Sequence, residues 1–208
     1  MPLAAELLGR APELGPRVRF VFPAAPLSLP SWFAGTDARA WWHIDFEASV
    51  ALRASGAAGR AALRAQTPDG LVQARRQLAS CVEAVAQTAA LPLGRVVLGG
   101  FSQGGMVTTD LALRQDEAPA ALVILSGTLL SEAEWRARAP RRKGLQVLQS
   151  HGRQDPLLPF ADAEALRDLL VEAGLRVDFL PFDGPHTIPL EAVDKLSTLL
   201  VSLLNPSP

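Results

Sequence analysis

Gly99-Gly100-Phe101-Ser102-Gln103-Gly104-Gly105 sets one serine among glycines, directly after the apolar run Val96-Val97-Leu98 and before a helical stretch over residues 106–114. Strand, sharp turn, helix is the setting in which G-x-S-x-G lifts a nucleophilic hydroxyl out of a strained corner. Strand and helix must pass so closely there that Gly100 and Gly104, two residues either side of the serine, are expected to have no room for side chains. The N-terminus of the following helix, aimed at the serine, supplies N–H groups and positive dipole where an oxyanion would form. A glycine-rich turn that binds phosphate is the competing reading. Neither G-x-x-x-x-G-K-[ST] nor G-x-G-x-x-G fits this segment.

A serine hydroxyl is a poor nucleophile until a base takes its proton, and the base needs an acid to orient it. The chain has three histidines. His43 lies in an aromatic loop before the serine, His151 at the end of an apolar strand, and His186 in Asp183-Gly184-Pro185-His186-Thr187, ahead of the last helix. Ser102, Asp155 and His186 run in the order nucleophile, acid, base, each at the carboxyl end of a strand, where a parallel sheet collects its chemistry. Gly184 and Pro185 would shape the loop that returns the imidazole over the sheet. His151 reads as a structural histidine bonding loop backbone, and His43 breaks the order. Asp183 stands only three residues from His186, whereas Asp155 has its own turn. Asp110 is read as facing out of the helix or capping a contact, with no role in chemistry.

These residues need a scaffold, and the apolar pattern supplies one. Helical spacing marks residues 3–14; residues 68–89, with Thr67 as N-cap, Pro68 at the first position and Leu71, Ala74, Leu78, Val82 and Val85 inward; residues 160–173, closed by Gly174; and residues 190–204, with Val193, Leu196, Leu200 and Leu203 inward. Strands are expected at 18–22, 95–99, 121–125, 145–148 and 176–182, with 121–125 and 145–148 central and covered on both faces. The alternation implies an α/β fold with a mostly parallel sheet and helices on both faces. Residues 24–46 form a long Pro-rich loop holding three of the four tryptophans. A loop of that length covers something: either the core itself, or a substrate pocket of which it is one wall. The Ala/Arg-rich residues 51–65 approach low complexity.

At 208 residues and 49% hydrophobic, the chain suits a single domain over 1–208 that folds without disulfides or metal. A net charge of −1 offers no electrostatic case for nucleic acid or an anionic membrane. The one cysteine, Cys81, excludes an intrachain disulfide and points to a reducing compartment, the cytoplasm. Its helical context suggests a buried small hydrophobe. The N-terminus has no signal-peptide pattern, and no apolar stretch is long enough for a membrane span.

The elbow segment, His151-Gly152-x-x-Asp155-Pro156-Leu157-Leu158-Pro159, Pro30-Ser31-Trp32-Phe33 and the Gly184-x-His186 loop together resemble the phospholipase/carboxylesterase family of α/β-hydrolases, the group that includes the acyl-protein thioesterases. The four segments occur in family order across almost the whole chain. The resemblance implies Ser102 as nucleophile, His186 as general base and acid, Asp155 as its orienter and the backbone N–H of Gln103 as one oxyanion donor. Trp32 and Phe33 would lie near the mouth of the acyl pocket. Family members ordinarily open with a strand ending in His-Gly-x-Gly, whose backbone gives a second oxyanion N–H. Here the only His-Gly is His151-Gly152. The resemblance therefore predicts that Met1 is a misplaced start, that a central strand and an oxyanion donor are missing, and that the chain as written is poorly active or poorly stable. The resulting sheet edges would seek partners, a homodimer among them.

The leading expectation is a serine esterase or thioesterase that forms an acyl-enzyme on a small or medium acyl ester, with no cofactor and no metal. Two readings stay open beside it: a non-catalytic binding protein on the same fold, and a hydrolase of amides or peptides, since a triad does not choose its leaving group.

Overall fold

The computed structural model describes residues 3–29, 38–45 and 55–205. A two-residue antiparallel pair, β1 (Leu27–Ser28) with β2 (Arg39–Ala40), lies within the aromatic loop. The main sheet is β3 (Val97–Phe101), β4 (Ala121–Leu125), β5 (Gln146–Gly152) and β6 (Arg176–Phe182), all parallel and hydrogen-bonded in that order. The helices are α1 (Leu3–Arg10), α2 (Gly56–Ala65), α3 (Leu71–Ala89), α4 (Gln103–Arg114), α5 (Glu132–Arg138), α6 (Phe160–Glu172) and α7 (Leu190–Leu204).

β4 shows why its apolar run is unbroken. Leu122 and Ile124 point into a core with Leu78, Val107, Leu111, Trp135 and Leu166, from α3, α4, α5 and α6. Val123 and Leu125 point the other way, into a core with Leu7, Val193 and Leu196, from α1 and α7. A strand buried on both faces has no polar alternation to show. The α/β arrangement expected from the pattern is present, and all four strands of the main sheet are parallel.

Residues 18–22 form no strand. Among the described residues nothing pairs with them, and Phe22 is 61% exposed. Periodicity can mark an extended segment, but only a neighbour's ladder of hydrogen bonds makes it a strand. The same vacancy of partners leaves β3 bonded on one side only, to β4, among the described residues.

The other differences are local. The first helix stops at Arg10 and a 3₁₀ turn, Pro12–Leu14, follows, because Pro12 cannot continue the α-helical ladder. Helix α3 begins at Leu71, since Gly70 adopts φ 91°, a left-handed conformation outside any helix. Thr67 caps nothing there; its hydroxyl accepts a 2.9 Å hydrogen bond from Ser131 Oγ. Ala86 takes the buried place expected of Val85, Cys81 is only half-buried, and Leu203 is partly exposed. β3 starts at Val97, after a 3₁₀ turn at Leu93–Arg95, and β5 runs on to Gly152. The Ala/Arg-rich stretch contains a regular helix, α2. The strands at 121–125 and 176–182 and the helix at 190–204 have the expected bounds, and α6 is closed by Gly174 at φ 85°.

Candidate active site

Ser102 sits between β3 and α4 at φ 56° and ψ −122°, a conformation that L-residues rarely hold. Its N–H donates to the Leu125 carbonyl at 2.8 Å, so the β3–β4 ladder runs right up to the corner. A Cβ on Gly100 would overlap the Gly104 carbonyl, and one on Gly105 would come within 3.0 Å of the Gly100 oxygen. The tight contact is therefore Gly100 against the backbone of 104–105. Gly104 itself has room: its Cβ would meet only Trp41 Nε1, at 3.8 Å. The expectation that Gly104 could carry no side chain fails because the helix turns that position towards the aromatic segment instead of the strand.

Helix α4 is fixed along its length. Asp110, fully buried, accepts from Arg75 Nη1 at 2.7 Å, Arg114 Nε at 2.9 Å and Trp135 Nε1 at 2.9 Å. Of the two placements expected for Asp110, outward-facing or capping a contact, the outward one fails: the helix is enclosed almost throughout, and the aspartate is its polar anchor. At the C-terminal end, buried Arg142 donates to the carbonyls of Ala112, at 2.6 Å, and Gln115. A cation at that end also suits the helix dipole. These contacts aim the N-terminal N–H groups of α4, that of Gln103 first, at the space beside Ser102.

Asp155 follows β5, and its side chain is 0% exposed. Oδ1 accepts from the N–H groups of Leu157 and Leu158, both at 2.8 Å. Oδ2 lies 2.6 Å from His186 Nδ1 and 3.3 Å from His151 Nε2. Burial by itself would raise the Asp155 pKa. The His186 hydrogen bond and the Leu158 and Leu157 N–H groups outweigh it and hold the carboxyl below its ordinary value. A carboxylate at Nδ1 fixes that nitrogen as the donor and leaves Nε2 as the free base. His151 donates from Nε2 to the Leu158 carbonyl at 2.9 Å, the loop-backbone contact expected of it. Burial pushes its pKa below 6.5, with the Leu158 carbonyl and Asp155 pulling the other way. Asp183 is exposed and lies 3.6 Å from Arg153.

The loop carrying His186 rests on Gly152 and Phe101, which belong to the motifs quoted above with no supporting role given to them, and on Ser126, which no motif contains. Ser126 Oγ donates to the Thr187 carbonyl at 3.1 Å, from a buried serine at φ 50° that ends β4. Gly152 lets the loop descend on β5, because a Cβ there would overlap the carbonyls of Gly184 and Pro185. Phe101 packs against the imidazole with ring centroids 4.7 Å apart. The positive φ of Ser126 could not be inferred from residue type.

Ser102, Gln103 and His186 line one cavity of about 1830 Å³, which also touches Trp41, His43 and Cys81. It is larger than an ordinary small-molecule pocket and runs from the serine, along the edge of β3 that has no partner strand among the described residues, towards residues 18–23. Trp32 and Phe33 lie outside the described residues. No cluster of three or more potential metal ligands occurs among the described residues, and none of the described helices is long and apolar enough to cross a membrane.

A family model described as Phospholipase/Carboxylesterase matches residues 9–204. Acyl-protein thioesterase 1 of Mycosarcoma maydis is 30% identical over 214 residues, covering 96% of this chain and 83% of the relative. Acyl-protein thioesterase 1 of Neurospora crassa is 28% identical over 194 residues, covering 90% and 74%. The crystal structure of Arabidopsis thaliana SOBER1 matches with a TM-score of 0.74 over 98% of this chain and 91% of that one. At 20% identity that likeness speaks for the fold alone. With a match over nearly its whole length and a parallel sheet built around a strained serine, the chain belongs to the phospholipase/carboxylesterase family and has an α/β-hydrolase fold.

Proposed function

We propose that the protein hydrolyses carboxylic esters and thioesters through an acyl-enzyme, with Ser102, His186 and Asp155 as its catalytic residues. The observation that carries this is the 2.6 Å hydrogen bond between His186 Nδ1 and Asp155 Oδ2, with His186 and Ser102 facing one cavity. Ser102 Oγ attacks the acyl carbonyl while His186 Nε2 takes its proton. Asp155 keeps the proton on Nδ1 and stabilises the imidazolium. The oxyanion of the tetrahedral intermediate forms at the Gln103 N–H, where the N-terminus of α4 favours negative charge. Collapse expels the alcohol or thiol, which takes the proton from His186. Water then attacks the acyl-enzyme, again through His186, and releases the acid and Ser102.

The relatives named acyl-protein thioesterase support including thioesters among the substrates. Residues 1–208 act as one catalytic domain in this reading. The single cysteine favours a cytoplasmic setting, and the edge of β3, which has no partner strand among the described residues, favours a homodimer. Sedimentation velocity should then give twice the monomer mass of 22.1 kDa; a monomer at high micromolar concentration rejects the dimer.

Ser102→Ala should lower turnover of p-nitrophenyl esters by about 10⁴-fold or more while circular dichroism is unchanged. A fluorophosphonate probe should label the wild-type protein and not the variant. Wild-type-like turnover by Ser102→Ala would remove Ser102 from the mechanism.

A further inference from the structure

The side chain of Gln103 does something separate from its backbone. It is 9% exposed and reaches back across the cavity wall to the aromatic segment. Oε1 accepts from the Trp41 backbone N–H at 2.8 Å, and Nε2 donates to the Trp42 carbonyl at 3.1 Å. The two contacts fix the orientation of the amide, since a flipped amide would set donor against donor and acceptor against acceptor. A buried group with both ends matched to backbone groups of two consecutive residues holds that segment in position and direction.

The consequences differ for the two tryptophans. Trp42 is 5% exposed and packs beside Gly70, where a Cβ would come within 2.9 Å of its own Cβ. Trp41 is half-buried, and its indole stands over Gly104, on the first turn of α4 after the nucleophile. It lines the same cavity as Ser102, together with Leu98, Phe101 and Leu157. Gln103 thus ties the wall of the cavity to the helix turn next to the serine.

We infer that Gln103 is a positioning residue for acyl selection, holding the Trp41 ring as an apolar wall against which an unbranched acyl chain of medium length lies. This rests on the hydrolase reading above and names the substrate class of the same site. An acetyl group is too short to use the wall, whereas an octanoyl chain would lose contact with it if the segment drifted. The side chain acts through Trp41, so its loss and the loss of the indole must not add.

The test compares p-nitrophenyl acetate, butyrate and octanoate with wild type, Gln103→Met, Gln103→Glu, Trp41→Ala and the Gln103→Met/Trp41→Ala double variant. Gln103→Glu keeps the shape but sets an acceptor against the Trp42 carbonyl, and guards against loss of fold in Gln103→Met. The ratio of kcat/KM for octanoate to that for acetate should fall about 10-fold in each single variant, mainly through KM, with no further fall in the double. Acrylamide quenching of tryptophan fluorescence should rise in both Gln103 variants. Equal losses on all three esters, an unchanged ratio, or additive losses would overturn the assignment. Failure of the hydrolase reading looks different: wild type would neither turn over acetate nor take the fluorophosphonate. In that case unchanged quenching would still overturn the hold on Trp41.

Discussion

A serine held at φ 56° and ψ −122° costs about 1–3 kcal/mol, and it persists because its neighbours leave no alternative. The Gly100 contact and the Leu125 hydrogen bond close the corner from two sides. Asp155 shows a second kind of constraint, with one oxygen on two backbone N–H groups and the other facing two imidazoles. His151 is the imidazole that burial keeps neutral, its pKa lying below 6.5 in the folded state. The sign follows from proton binding. Below about 6.5 the unfolded chain takes up a proton at this position that the folded chain refuses, so stability is full above 6.5 and falls as the pH drops. The carboxyl of Asp155 is depressed as well, and its contribution is lost only in more acid solution, as the pH falls below its ordinary 3.8. The urea midpoint of the wild type should therefore decline between pH 7.5 and 5.5 more steeply than that of His151→Gln. Converted to unfolding free energy, the difference in slope is bounded by one proton, about 1.4 kcal/mol per pH unit. Parallel profiles would mean that His151 titrates alike in both states.

At the scale of elements, α4 is the part that holds the site in place. It has no outer face, so periodicity could not tell which polar residue is an anchor and which is solvated. Asp110 is the anchor because two arginines and an indole N–H converge on it from α3, α4 and α5. Replacing one member of a buried charged group strands the others. Asp110→Ala should cost about 3–5 kcal/mol, read as a lower urea midpoint, with Asp110→Asn costing less because it keeps an acceptor. If Asp110→Ala unfolds at the wild-type midpoint, the cluster does not hold the helix. The strands at 121–125 and 176–182 and the helix at 190–204 were legible because composition, period and end signals agreed there. Residues 18–22 read as a strand by the same criteria, whereas α2 is hard to read because its apolar side is built of alanine and glycine, with Leu63 as its one large apolar side chain.

Across the whole molecule, the sheet puts the ends of β3, β5 and β6 at one side and lets the cavity run along the β3 edge. The sequence alone determined the α/β class, the serine corner and the pairing to be expected between Asp155 and His186. Those features are written in glycines, turn residues and apolar period, signals that act within a few residues or through the fixed order of strands. Only the tertiary structure decided that His151 also faces Asp155, that Asp110 is buried, and that Gln103 grips Trp41 and Trp42. The physical reason is range. A hydrogen bond across 61 or 62 residues of chain exists only once packing has brought its ends within about 3 Å, and nothing in the local sequence of either end records the other.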